Sequence, residues 1–422
     1  MANEVQGFKI PQEQRQNWWS IASIWLGSMI CIPALMVGGY LAQGFSIGSI
    51  VLACLLGFGI IAAYMCFQGM QACDTGLPTV SMAAASLGIV GSRYLISLLL
   101  GIVCIGWFGV QAGVCGLSFS AMFASMTGIN IPVWISTIVS GVLMFLTAMY
   151  GYKAVKYLNY IAVPLLVLVI GYVVIAALFI REGIPAIAAY KPAQPMTLVA
   201  GINLAVATFA VGGVISGDYS RYAKNRGDVV KSSVIGLLPI GIGMLLVGAV
   251  SSIVAGEYDI TKVLANLGLP AIGLVALILA AWTTNTTNAY SGGLAISNFL
   301  GFTEKKFKLT TGIAGAIGTL LAALGILDRF TTFLGIITAF IPPVAGVIIA
   351  NYWIIGKGKS EKFKPSAGIN WAGIIAFAIG SGIAYLTANV IPFFVAPING
   401  IVISVVAYII LIKIIPAQTI EE

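Results

Sequence analysis

One polar segment, residues 279–290, holds the groups that could do chemistry in an otherwise apolar part of the chain. It reads Leu-Ala-Ala-Trp-Thr-Thr-Asn-Thr-Thr-Asn-Ala-Tyr and closes an apolar run that starts near Pro270. On a helix, Ala280, Thr283 and Thr284 share one face, because they are spaced i, i+3 and i+4. One backbone carbonyl and two hydroxyls that converge in this way suit a sodium ion, since all three are neutral oxygen ligands.

Two other roles remain open for the same segment. Asn285 lies about 100° further round the helix, where its amide could offer a donor and an acceptor to a different guest. Threonine hydroxyls in membrane helices also commonly bond back to the carbonyl at i−4, which would serve the helix alone. Because lipid offers polar groups no partner, a cluster of four threonines and two asparagines nevertheless favours a binding site.

The composition identifies the class of protein around this segment. Hydrophobic residues make up 59% of the 422 residues and charged residues 8%, with a mean hydropathy of +1.04. A water-soluble protein of this length could not bury so much apolar surface, so an all-α, polytopic protein of the lipid bilayer is predicted. The net charge of +8 is attributed to the loops, and we expect neither a nucleic-acid partner nor an obligatory protein partner.

Twelve segments have the length of about 20 apolar residues that a membrane-spanning helix requires. They are 20–43, 47–69, 94–124, 132–151, 155–180, 197–217, 232–256, 268–300, 309–327, 331–355, 369–388 and 391–414.

The charged residues support this even number of spans. With both termini on one side, all but four of the 21 lysine and arginine residues lie on that side, which the positive-inside rule makes cytoplasmic. The four exceptions are Arg181, Lys191, Lys262 and Arg329.

None of the 13 acidic residues falls near the middle of a span, and the chain has no histidine. A proton relay would lack a titratable group there, which favours a cation held by neutral oxygens.

Two spans look interrupted at corresponding places. The first contains Gly-Ser-Met-Ile-Cys-Ile-Pro at 27–33, and the sixth contains Thr-Phe-Ala-Val-Gly-Gly at 208–213. Glycine weakens a helix interior and proline removes one of its hydrogen bonds. Paired breaks in spans one and six predict two inverted halves of five spans each, with the site between them at the midplane. Pro342-Pro343 predicts a further break, in span ten.

With these spans, the chain is predicted to divide into five parts. They are a cytoplasmic N-terminal segment (1–19), a first inverted repeat (20–180), a second (197–355), spans eleven and twelve (369–414) and a cytoplasmic tail (415–422).

Two aromatic residues lie mid-span rather than in the interfacial belt where tryptophan is usually enriched. Trp107 stands in Ile-Gly-Trp-Phe-Gly-Val-Gln at 105–111, and Phe209 lies at the break of span six. Two aromatic faces and an amide fit a flat heterocycle, which gains burial from the rings and specificity from hydrogen bonds. Ordinary packing of both side chains is the alternative.

Five motifs extend these features over essentially the whole chain, and together they resemble the cytosine-permease branch of the nucleobase:cation symporter family. The motifs are Gly-Trp-Phe-Gly-Val at 106–110, Tyr-Lys-Pro-Ala-Gln-Pro at 190–195, Gly-Asp-Tyr-Ser-Arg-Tyr at 217–222, Trp-Thr-Thr-Asn at 282–285 and Ile-Pro-Pro-Val-Ala-Gly-Val-Ile-Ile-Ala-Asn-Tyr at 341–352.

The resemblance implies a LeuT-like fold of twelve transmembrane helices. It comprises a 5+5 inverted repeat with helices 1 and 6 broken, followed by two C-terminal helices. It also implies sodium-coupled uptake. The family's sodium ligands match the carbonyls of Gly27 and Ile30 in span one. In span eight they match the carbonyl of Ala280 and the hydroxyls of Thr283 and Thr284.

The resemblance also implies a site for the base. Family members hold the base between aromatic residues that match Trp107 and Phe209. The asparagine of span eight matches Asn285, and Thr208 stands where a serine helps to hold the base.

At four positions the chain departs from the cytosine-permease pattern. Cys104 replaces a glutamine three residues before the stacking tryptophan, Val211 replaces a serine, and Thr286-Thr287 replace an acidic–amide pair. A cysteine cannot supply the paired donor and acceptor of an amide. Another pyrimidine, a purine or a thiamine-precursor pyrimidine therefore stands beside cytosine as a candidate substrate.

The leading interpretation is a secondary active symporter of the plasma membrane that imports a nucleobase-like heterocycle by alternating access. Sodium is its coupling ion and no cofactor is expected. A proton-coupled permease for a purine or a thiamine-precursor pyrimidine is the alternative. A membrane-embedded enzyme is a remote one, because it would need a nucleophile–base pair, a metal cluster or paired carboxylates.

Overall fold

In the residues that it describes, the computed structural model is helical, as the composition predicts, apart from loops and one isolated bridge between Gln16 and Ala223. It describes residues 9–149, 164–165, 167–180, 183–192, 194–257, 262–263, 270–302 and 306–418. Residues 155–163 and 166 of predicted span five and residues 419–422 of the predicted tail lie outside these ranges.

The described α-helices fall close to the predicted spans, with short extra helices at α4, α7 and α9. In chain order they are α1 (Trp18–Met29), α2 (Ile32–Gly44), α3 (Ile47–Thr75), α4 (Thr79–Leu87), α5 (Ile89–Thr127), α6 (Val133–Met149), α7 (Gly183–Ala189), α8 (Leu198–Val214), α9 (Gly217–Ser220), α10 (Arg226–Ala255), α11 (Pro270–Leu300), α12 (Phe307–Ala323), α13 (Phe330–Phe340), α14 (Pro342–Ile349), α15 (Trp371–Asn389) and α16 (Ala396–Ile414).

Among the described residues, seven helical segments are long and apolar enough to cross a membrane, and α1 with α2 forms a further, broken one. The helices α6 and α12 are apolar but shorter, whereas α11 has 31 residues. The count of twelve spans stays a prediction. The seven segments are Ile47–Thr75, Ile89–Thr127, Leu198–Ser220, Arg226–Ala255, Ile326–Ile355, Trp371–Asn389 and Ala396–Ile414.

The break predicted in the first span is present. The helices α1 and α2 meet at 60° across a gap of two residues, Ile30 and Cys31. Pro33 stands in the first turn of α2, where the missing N–H of a proline costs nothing, because the first helical amides have no intrahelical partner anyway. At the gap, the amide of Cys31 donates to the carbonyl of Met29 at 2.9 Å.

The sixth span is kinked where the sequence predicts. Phe209 leaves the helical conformation, with φ −135° and ψ 18°, in the middle of α8. Gly212 lies under the Phe209 ring, and a side chain there would collide with it. The predicted break in span ten is also present, as Ile341 separates α13 from α14.

The site is positioned by two long helices that pack side by side, α5 and α11. They are antiparallel, since Arg93 in the first turns of α5 donates from Nε to the carbonyl of Asn298 near the end of α11, at 2.7 Å. Further along the pair, a Cβ on Gly101 would lie 3.6 Å from Ala295, and one on Gly292 would lie 3.6 Å from Cys104. These small residues let the two backbones approach closely.

Candidate functional site

A cavity of about 580 Å³ lies between α5, α8, α9 and α11. Along α11 it extends from Thr286 to Asn298, a helix length of roughly 18 Å at 1.5 Å per residue. A volume of this size is within the range of pockets that enclose small organic ligands. The lining residues are Val80, Ser97, Leu100, Cys104, Val211, Ile215, Asp218, Tyr219, Thr286, Thr287, Tyr290, Ser291, Leu294, Ala295 and Asn298.

All four residues at which the chain departs from the cytosine-permease pattern line this cavity. Cys104 lies on α5, Val211 on α8, and Thr286 and Thr287 on α11. Both threonine hydroxyls donate to the carbonyl of Thr283, at 2.7 Å and 3.5 Å respectively. The side chains on this wall therefore differ in their hydrogen-bonding groups from those of the cytosine-permease pattern.

Trp107 and Phe209 are not among the residues that line the cavity. The half-buried ring of Trp107 meets Phe333 edge-on with centroids 5.3 Å apart, and Phe330 at 6.0 Å. The ring of Phe209 meets Trp25 edge-on at 6.0 Å. Each ring thus packs against an aromatic neighbour from another span, and the sandwich around a base stays a prediction.

Asn285 joins α11 to two other helices. It is fully buried, and its Nδ2 donates to the carbonyl of Phe108 at 2.9 Å and lies 3.2 Å from the sulfur of Met144. Its Oδ1 accepts from Asn288 at 3.4 Å. Thr208, the other polar residue assigned to the base, donates its hydroxyl to the carbonyl of Leu204 at 3.1 Å.

Gln111 was not predicted from the sequence as a site residue. Its side chain is fully buried in α5, and neither its amide nitrogen nor its oxygen has a hydrogen-bond partner among the described residues. Buried polar groups are nearly always paired, so an orphaned amide points to a missing partner. The signal in the sequence was its position one helical turn after Trp107, on the same face of the helix.

The three oxygens predicted in span eight do converge. The hydroxyls of Thr283 and Thr284 both donate to the carbonyl of Ala280, at 2.9 Å and 3.1 Å. Donation of a threonine hydroxyl to a carbonyl of the preceding turn is the pattern that was given above as the alternative to a binding site. A hydroxyl has one proton and two lone pairs, so donation to Ala280 leaves the lone pairs of both hydroxyl oxygens able to bind a cation.

The two carbonyls predicted in span one lie at its break. Gly27 is in the last turn of α1, and Cys31, which would donate to it in a continuous helix, donates to Met29 instead. Ile30 lies between the two helices. A broken helix thus frees carbonyls near Gly27 and Ile30, while their approach to α11 stays a prediction.

Comparison with known proteins identifies the family of this chain. The family described as permease for cytosine/purines, uracil, thiamine and allantoin matches residues 9–411. The cytosine permease of Escherichia coli K12 is 31% identical over 412 residues, which cover 97% of this chain and 94% of that protein.

Two solved structures of the transporter Mhp1 have a similar fold. One is its inward-facing conformation, with a TM-score of 0.83 and 20% identity over 97% of this chain and 94% of Mhp1. The other is a closed conformation with bromovinylhydantoin bound, with a TM-score of 0.76 and 20% identity over 97% and 95% of the two chains.

These relatives are transporters, and the predicted LeuT-like class of fold is supported. The chain is a multi-pass integral membrane permease and not an enzyme. It belongs to the family of permeases for cytosine, purines, uracil, thiamine and allantoin, within the nucleobase:cation symporters.

Proposed function

We propose that this protein is a sodium-coupled symporter that imports a nucleobase or a related flat heterocycle across the plasma membrane by alternating access. The observation that carries the proposal is the cavity between α5, α8, α9 and α11. The kinked helix α8 forms part of its wall, and the cavity is lined by the residues that differ from the cytosine-permease pattern. The chemistry of its walls suits a ring with polar edges.

The ring would be bound next to Trp107 and Phe209. Their faces offer stacking and apolar burial. The amide of Gln111 has no hydrogen-bond partner among the described residues and lies on the same face of α5 as Trp107, so it would supply the donor and acceptor that a heterocycle edge requires. Cys104 lies one turn to the other side of Trp107 and leaves that edge of the ring with an apolar neighbour.

The donor set in spans one and eight fits sodium, a hard cation with a preference for oxygen. Ala280, Thr283 and Thr284 would hold it from α11, and the carbonyls of Gly27 and Ile30 from the break of span one. All five are neutral oxygens, so their charge does not depend on pH.

Two contacts would link ion and substrate. Trp25 in α1 packs against Phe209 in α8, which connects the broken first span to the kink of the sixth. On α11, Thr284 of the ion site is followed directly by Asn285, which is bonded to the carbonyl next to Trp107. Sodium binding would thereby stabilise the arrangement that the base requires, and this linkage is reciprocal.

The proposal includes twelve spans in a 5+5 inverted repeat with both termini in the cytoplasm. In that topology the cavity extends towards the cytoplasmic end of α11, where Arg93 binds the carbonyl of Asn298. Rocking of one group of spans against the other would then open the same site to the outside.

The test uses purified protein in detergent and in liposomes. Thermal unfolding is measured with a panel of nucleobases, allantoin, hydantoins and pyrimidines, each in sodium and in potassium. We expect one class of heterocycle to raise the unfolding temperature, and more strongly in sodium. In liposomes, uptake of the labelled ligand should follow a sodium gradient and show counterflow. Uptake driven by a pH gradient and indifferent to sodium would instead establish the proton-coupled alternative, and stabilisation by none of these rings would overturn the proposal.

A further inference from the structure

The cavity is longer than the ring that the proposed function places in it. Ser97, which lines one end, precedes Trp107 by ten residues on α5, a distance of about 15 Å along the helix. A six-membered ring with its exocyclic groups is only about 7 Å across at ordinary bond lengths. A ring bound next to Trp107 therefore does not reach the end of the cavity at Ser97.

Contacts between α5 and α11 show which residues meet at that end. Arg93 bonds to the carbonyl of Asn298, and a Cβ on Gly101 would lie 3.6 Å from Ala295. Ser97 lies midway between Arg93 and Gly101, so it is level with the turn of α11 that contains Ala295 and Asn298. Because all three are lining residues, Ser97 and Asn298 line the same end of the cavity.

The hydroxyl of Ser97 has no hydrogen-bond partner among the described residues, although Ser97 is only 4% exposed. Ser92 on the same helix instead donates to the carbonyl of Ile89 at 3.1 Å. Buried polar groups are nearly always paired, so the free hydroxyl of Ser97 points to a partner that enters the cavity. The side-chain amide of Asn298 also has no partner among the described residues and would offer that ligand a donor and an acceptor.

Apolar side chains complete this end of the cavity. Leu100 follows Ser97 by one turn on α5, and Leu294 precedes Asn298 by one turn on α11, so each pair shares a helix face. Two apolar side chains and two hydrogen-bonding groups suit a neutral flat ring, whose faces need burial and whose edges need partners. These four residues form what we call the second site.

We propose that the second site binds a second molecule of the transported heterocycle, between the ring next to Trp107 and the cytoplasm. The inference rests on the proposed function. Substrate released from the aromatic rings would pass this site, and a high cytoplasmic concentration would fill it and slow further release. Thr284, a predicted sodium ligand, precedes Asn298 by 14 residues, about 21 Å along α11, so sodium should not affect binding at the second site.

The experiment measures equilibrium binding of labelled cytosine, uracil, hypoxanthine and allantoin to the purified protein, in sodium and in potassium. We expect at least one of them to bind as two molecules per protein, with sodium raising the affinity of only one of the two. Trp107→Ala should weaken the sodium-dependent molecule alone. Ser97→Ala should weaken the sodium-independent molecule alone, by roughly two- to tenfold, as loss of one hydrogen bond implies.

A larger side chain in the second site gives a sharper test. Leu294→Trp should fill the space between the helices and abolish binding of the sodium-independent molecule, while the sodium-dependent molecule still binds. Leu98→Trp is the matched control, because Leu98 on α5 is 47% exposed, as Leu294 is, but does not line the cavity. The control should bind two molecules like the parent.

A water-filled exit path without a binding site is the alternative, and it predicts one molecule per protein. That result overturns the inference and leaves the proposed function intact. Two molecules that both remain bound in Leu294→Trp overturn the inference in the same way. Binding of none of the four heterocycles in either salt would remove the inference and the proposed function together.

Discussion

Asn285 on α11 donates its amide nitrogen to the main-chain carbonyl of Phe108 on α5, at 2.9 Å. Phe108 directly follows Trp107, so this bond fixes the position of the proposed stacking residue relative to the helix that carries the predicted sodium ligands. The side-chain amide of Asn285, which was predicted from the sequence to bind a ligand, thus already has a hydrogen-bond partner within the protein.

Replacement of Asn285 by alanine should therefore destabilise the ligand-free protein. The buried carbonyl of Phe108 would lose its donor, at a cost of about 1–3 kcal/mol. The measurement is thermal unfolding without substrate, with base affinity measured in parallel. Asn288→Ala, which removes only a donor at 3.4 Å, is the control and should have a small effect. A loss of base affinity at unchanged unfolding temperature would show that Asn285 serves the ligand instead.

Thr283→Ala and Thr284→Ala should each weaken sodium binding roughly tenfold, because each removes one of the oxygen ligands. Sodium dependence of thermal unfolding and of uptake reports the effect. The control is Thr319→Ala, which removes a hydroxyl bonded in the same intrahelical way to Gly315, at 2.7 Å, on α12. If Thr283→Ala and Thr284→Ala respond to sodium like the parent and the control, the hydroxyls of Thr283 and Thr284 serve the helix alone.

Loss of either aromatic face should weaken base binding. Trp107→Ala and Phe209→Ala each remove stacking and burial of about 1–3 kcal/mol, or ten- to a hundredfold in affinity. Binding is measured at saturating sodium. Phe123→Ala, which breaks a stacked pair with Phe119 on the same helix as Trp107, is the control and should leave affinity unchanged. Parent-like binding by both site variants would exclude the sandwich.

Cys104→Gln should shift selectivity towards cytosine. We expect the parent to bind cytosine weakly, because the cysteine on the cavity wall cannot pair with the polar edge of cytosine. In the variant, rings other than cytosine would leave the glutamine amide unpaired and would therefore bind less well. Competition against one labelled ligand measures the shift. Cys104→Ser keeps the size of the side chain without supplying an amide and should retain the parent's preference. Tight, selective cytosine binding by the parent would contradict the assignment.

Gly248→Ala should destabilise the protein. The helices α10 and α2 cross so closely that a Cβ at Gly248 would collide with the carbonyl of Leu35. Overpacking of this kind costs about 1–3 kcal/mol, which thermal unfolding in detergent detects. Gly243→Ala on the same helix meets no atom within 4 Å and is the matched control. Equal unfolding temperatures for the two variants would show that the crossing relaxes at little cost.

Much of the fold could be predicted from the sequence. Apolar stretches of spanning length are found as helices wherever the structure describes them, and the break near Pro33 and the kink at Phe209 fall within the predicted segments. Three short α-helices, α4, α7 and α9, were not predicted. The nine-residue helix α4 is too short to span a membrane, and its place depends on packing against other elements.

The site, too, could be predicted from the sequence only where the arrangement of its residues is local. Ala280, Thr283 and Thr284 converge because helical periodicity is a local property, so the sequence by itself determined that trio and the membrane-embedded class of the protein. Contacts between distant segments are not local. Only the tertiary structure decided that Asn285 bonds to Phe108, that the buried amide of Gln111 has no hydrogen-bond partner among the described residues, and that Asp218 reaches the cavity wall. The physical reason is that the partner of a polar side chain in a membrane protein depends on which helices pack together, and close packing, not sequence spacing, selects that neighbour.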